Sequence, residues 1–180
     1  FIRMPRLIIG LLVGGALALA GAVMQGVFSN PLADPGIMGV SAGASLGAVI
    51  AIALGVTSLS MFYMPAFAFV GAFVSVGITI LLTWRNNKLD TTTLLLAGVA
   101  VSMLLGAFTS GILTMINEYR LREFLFWMVG GLDFRRWDHV LLAVGPIMTG
   151  SIILMMLGRH LNVLVLGDTE ARALGLPVMA

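Results

Sequence analysis

Five stretches of about 20 residues, none containing a charged side chain, decide what this chain can become. They run from about Leu7 to Phe28, Ile37 to Gly55, Met61 to Trp84, Thr92 to Ile116 and Val140 to Gly158. An α-helix needs about 20 apolar residues to cross the hydrocarbon of a bilayer. The expected fold is therefore all-α and polytopic, with five transmembrane helices. Composition agrees: 10% of residues are charged and mean hydropathy is +1.07, where a globular domain carries about 25% charged residues. The 12 methionines and 22 glycines suit close packing between membrane helices. With no cysteine, disulfides are excluded, and a net charge of +2 supplies no phosphate-binding stripe, so nucleic acid is not a partner. The chain begins at Phe1 without a basic leader or a cleavage site and is read as part of a longer protein.

The connections are short except for residues 117–139. There Glu118, Arg120, Arg122, Glu123, Asp133, Arg135, Arg136 and Asp138 surround the apolar FLFWMVGG. This predicts an interfacial helix over about 119–130, with Trp127 and Trp137 at headgroup depth. An odd number of spans puts Arg3 and Arg6 on the opposite side from the terminal segment, residues 161–180. Basic residues favour the Arg3 side, where Arg120, Arg122, Arg135 and Arg136 also fall, over the side of Arg85, Lys88, Arg159 and Arg172. That count alone would place the terminal segment outside the cytoplasm.

The terminal segment, LNVLVLGDTEARALGLPVMA, is too polar to span lipid and too apolar for a bare tail. Asp168 as N-cap and Glu170 in the first turn predict a short helix over Thr169–Leu174. Gly175 then caps it and Pro177 stops it, leaving Ala171 and Leu174 on one face. Such a knob is either a docking element or a helix lying on headgroups. A second break, SNPLADPG at 29–36, joins the first two spans; its prolines and glycine forbid a continuous helix, and Asn30 and Asp34 suit tight turns. After it, Gly39, Gly43 and Gly47 recur every four residues, a face smooth enough for close helix packing or for the border of a solute path.

The spans hold few polar groups (Gln25, Ser75, Thr79, Ser102, Thr109, Ser110 and Thr114 are the main ones) and no ionisable one at mid-membrane. Proton- or sodium-coupled carriers need such groups, so any energy must arrive from outside the membrane domain. His139 and His160 fall at opposite faces, and no metalloprotease, nucleophile-elbow or phosphate-loop motif is present. No catalytic or metal-ligating residue is expected.

Five pieces, in order, resemble the FecCD family of ABC importer permeases, which move ferric siderophores, haem and vitamin B12. They are IRMPR at 2–6, GAVMQGVFSNPLADPGIMGVSAGA at 21–44, TTTLLLAGVA at 91–100, FWMVGGL at 126–132 and LNVLVLGDTEARALGLP at 161–177. The resemblance implies about ten transmembrane helices per subunit, of which this chain would hold the second to sixth. It further implies a second permease subunit as a homodimer, ABC ATPase subunits, a periplasmic or lipid-anchored solute-binding protein, and a bacterial cytoplasmic membrane location. By the same resemblance no cofactor is expected to bind this chain directly, ATP and Mg acting through the partner ATPase.

Residue by residue, the resemblance assigns Leu166, Gly167, Asp168, Glu170, Ala171, Leu174 and Gly175 to a cytoplasmic coupling helix seated in the ATPase. This overrides the count of basic residues, a weak statistical bias beside an ordered series of motifs. Arg3 and Arg6 resemble arginines that meet acidic residues of the solute-binding protein. Asn30 and Leu32 resemble one cytoplasmic gate, and Asp90, Thr91 and Thr92 a second, although Asp90 stands where the family has a small hydroxyl residue. Leu96, Gly98, Ser102 and Gly106 would line the pathway. The competing reading is a passive channel or structural membrane module whose last helix lies on lipid; binding of an ATPase to the 167–174 region separates the two.

Overall fold

Long apolar runs make long helices here, and glycines in left-handed conformation end the short one. The structure, a computed structural model, describes residues 3–84 and 91–164, with side chains as far as Gly158. Six α-helices occur among them: α1 (Arg3–Val27), α2 (Val40–Leu54), α3 (Tyr63–Thr83), α4 (Thr91–Met115), α5 (Glu118–Val129) and α6 (Trp137–Leu164). Short 3₁₀ turns at Pro35–Met38 and Val56–Ser58 flank α2. The helices α1, α3, α4 and the Trp137–Gly158 part of α6 are long and apolar enough to cross a membrane.

The second apolar run folds differently from the expected helix over about 37–55. Its helix has 15 residues, about 22 Å at 1.5 Å per residue, and the 3₁₀ turns at Pro35–Met38 and Val56–Ser58 extend the run at both ends. Gly39 (φ 84°) and Gly55 (φ 73°) bound it, a backbone that L side chains rarely adopt. The N–H of Gly55 turns back to the carbonyls of Ala51 and Ile52.

Two compact units are present, 3–35 with 131–164 and 36–84 with 91–130. In the first, α1 packs along α6. Leu7, Leu11 and Leu17 of α1 and Leu141, Met155 and Met156 of α6 stay exposed, surface suited to hydrocarbon or neighbouring helices rather than water. The proline inside α6, Pro146, removes one helical N–H.

In the second unit α2 is the hub, packed on α3, α4 and α5. Ala48, Val49, Ala51 and Ile52 are fully buried. Gly43 meets the backbone of Gly71, and Gly47 meets that of Phe67, so closely that a Cβ at either position would collide with a carbonyl oxygen. The four-residue glycine spacing therefore serves helix packing. The α5 helix, expected at the interface, starts at Asn117, whose side chain accepts from the Arg120 N–H. It drives Phe124 into a core with Val49 and Ile52, bordered by Leu46, Met64, Ile112, Leu113, Ile116 and Trp127.

Candidate functional site

The proline-rich break after α1 is built from local hydrogen bonds. Asn30 accepts from the Leu32 N–H at 2.9 Å through its side chain and from the Ala33 N–H at 3.1 Å through its carbonyl. This Asx turn leaves Leu32 84% exposed. Both residues of the first expected gate thus sit at the tip of one turn.

Downstream, within the second unit, residues 37–39 are held by two helices. Ser75 of α3 donates its hydroxyl to the Gly39 carbonyl at 2.8 Å, and Thr79 donates to the Met38 carbonyl at 3.3 Å and to Ser75 O at 3.0 Å. Both side chains are fully buried. From α4, Gly98 lies against the Ile37 carbonyl, where any Cβ would collide. The sequence displayed Ser75 and Thr79 as two of few polar groups in a span, four residues apart on one face, but gave them no role.

The four residues expected to line a pathway divide between faces of α4. Gly98 is buried, and Ser102, next along that face, donates to Gly98 O at 2.7 Å. At about 100° per residue, Leu96 lies about 160° around the helix from Gly98. It is 68% exposed, with Val99 and Met103 also exposed. Gly106 has open space at its Cβ position. Thr91 and Thr92 are exposed in the first turn of α4, while Asp90 lies outside the described residues.

At the Arg3 end of the first unit, Arg3 is exposed, whereas Arg6 turns inward to Asp133 at 3.7 Å. The Arg6 Nε is buried with no hydrogen-bond partner among the described residues. A cavity of about 550 Å³ opens there, lined by Pro5, Arg6, Phe134, Arg135, Arg136, Trp137 and Asp138. The expected docking pair is therefore unequal, one guanidinium free to reach outward and one engaged within the chain. His139 accepts from the Arg136 N–H through Nδ1 at 3.3 Å. Among the described residues no group of three His, Asp or Glu side chains could hold a metal.

The expected coupling residues Leu166, Gly167, Asp168, Glu170, Ala171, Leu174 and Gly175 lie outside the described residues. The α6 helix reaches Leu164, into the start of that segment.

The sequence model of the FecCD transport family matches residues 1–180. The chain belongs to the FecCD transport family. FecCD relatives include the cobalamin import system permease protein BtuC of Halobacterium salinarum, 42% identical over 178 residues (98% of this chain, 47% of that protein). The vitamin B12 import system permease protein BtuC of Salmonella paratyphi A is 40% identical over 179 residues, covering 98% of this chain and 53% of that protein. The chain spans about half the length of the curated relatives it matches. A solved structure described as an inward-facing conformation of a metal-chelate type ABC transporter superposes with a TM-score of 0.87 at 32% identity, over 98% of this chain and 56% of the other. This FecCD chain is thus a multi-pass membrane protein.

Proposed function

We propose that this chain forms the first-half core of a permease subunit in an ATP-driven importer of a corrinoid or another bulky metal chelate. The observation that carries this reading is the match of 98% of the chain to permeases named for cobalamin import at about 40% identity. The metal-chelate type neighbour supports the wider cargo class, which takes in iron–siderophore complexes and haem. The exposed face of α4 with Leu96 and Met103 is the candidate pathway wall, and the exposed Asn30–Leu32 turn and the Thr91–Thr92 start of α4 are candidate gates.

In this reading the permease hydrolyses nothing. Partner ATPase subunits bind ATP and Mg and push on the segment around Asp168 and Glu170, and a second permease copy completes the path. A solute-binding protein docks beside Arg3 with carboxylates facing the guanidinium, and Arg6 contributes through its contact with Asp133. The location is the cytoplasmic membrane, with the 161–180 segment inside the cell. The test is uptake by the full-length permease, co-expressed with its ATPase and solute-binding protein in cells lacking their own importers. Labelled cyanocobalamin, a ferric siderophore and haem are supplied in parallel. ATP-dependent accumulation of at least one is expected; accumulation of none, or downhill flux without ATP, removes the reading.

A further inference from the structure

We infer that Ser75 and Thr79 are positioning residues that fix the downstream end of the gate turn, an inference that rests on the importer reading for its function. The argument begins with hydroxyls in membrane helices. A buried Ser or Thr ordinarily satisfies itself on its own helix, and Ser102 and Thr109 do so, each donating to the carbonyl four residues before. Ser75 does not. The Gly71 carbonyl that it would use is packed against Gly43 of α2, and its proton goes instead to Gly39, 36 residues away in sequence.

Gly39 is where the chain changes from 3₁₀ turn to helix, in the left-handed region at φ 84° and ψ 6°. Its carbonyl already accepts the first helical bond, from the Gly43 N–H at 2.9 Å. Ser75 supplies a second donor, Thr79 shares its one proton between the preceding carbonyl at 3.3 Å and Ser75 O of its own helix at 3.0 Å, and Gly98 supplies a recess for the one before that. Three consecutive peptide groups, 37–39, are held by α3 and α4. Irregular backbone in a membrane domain persists only where protein satisfies it, and here that protein is two hydroxyls and a missing Cβ. The chain between the end of α1 and this grip is residues 28–36, with Asn30 and Leu32 inside it. One end of the gate turn therefore takes its position from α3.

The test uses the full-length transporter with its ATPase and binding protein, in a background without other cysteines, carrying a spin label at Leu32→Cys. The double variant Ser75→Ala with Thr79→Val keeps volume and removes both protons, whereas Thr79→Ser keeps the hydroxyl. The double variant is expected to mobilise the label and to lower solute moved per ATP about fivefold, the factor equivalent to one buried hydrogen bond, with hydrolysis retained and only the small loss of thermal stability that the missing bonds entail. Thr79→Ser should behave as the parent. An unchanged label in the double variant overturns the inference. So does a parallel fall in stability, hydrolysis and uptake, which marks a merely structural role, or a Thr79→Ser protein indistinguishable from the double variant. If the parent carries no chelate at all, the importer reading fails while the label still decides the positioning.

Discussion

The guanidinium of Arg120 donates from Nη1 to the carbonyl oxygen of Ala53 at 2.7 Å, tying the start of α5 to the end of α2 across 67 residues of sequence. Ala53 lies in the last turn of its helix, where carbonyls lack intrahelical partners and the dipole favours a cation. One side chain answers both needs.

Removing that side chain should be costly. Arg120→Ala is expected to destabilise the full-length protein by about 1.5–3 kcal/mol, the range for a hydrogen bond to a charged group. Arg122→Ala, exposed on the same helix, should stay within about 0.5 kcal/mol. Unfolding in detergent compares them, and equal effects would deny Arg120 its capping role.

Phe124 is the largest fully buried side chain among the described residues. Phe124→Ala should cost about 3–5 kcal/mol by leaving a cavity between α2 and α5. Phe126, 79% exposed two residues on, is the matched control. A tolerant Phe124→Ala would mean that α5 rests on the surface without contributing to the core.

Two glycines of α4 should respond oppositely to alanine. Gly98→Ala drives a methyl into the Ile37 carbonyl and should lose about 1–3 kcal/mol, as overpacking does. Gly106→Ala meets nothing among the described residues and should gain up to about 1 kcal/mol from helix propensity. Thermal melts of the two variants read the difference directly.

In the first unit, Arg3→Glu should weaken docking of the solute-binding protein by an amount that shrinks as salt rises. Asp133→Asn, which frees Arg6 from its ion pair, should change docking less than Arg3→Glu. Affinity titrations at low and high salt provide the comparison; indifference to Arg3→Glu at low salt leaves that arginine a lipid anchor.

Asp168→Lys with Glu170→Lys should abolish solute-stimulated ATP hydrolysis by the assembled complex while leaving the isolated ATPase subunits untouched. Normal stimulation would move the coupling contact elsewhere in the chain.

Helix class and most helix positions were legible because charge-free runs leave a lipid-embedded chain few options. The length of α2 was not legible, since Ile37 and Met38 read as helix by hydropathy and only the left-handed Gly39 reveals the break. The turn after α1 announced itself through Asn30, Pro31 and Pro35. The grip on it did not, because a hydroxyl in a span usually bonds its own helix and nothing in the spacing of Ser75 and Thr79 tells otherwise. Likewise the resemblance treated Leu96 and Gly98 as one wall, although helical geometry sets them nearly back to back.

The hydroxyls of Ser75, Thr79, Thr83, Ser102, Thr109 and Thr149 all donate to carbonyls of this same chain. Those six protons are already committed within the chain, so toward anything passing these helices the same hydroxyls could act only as acceptors.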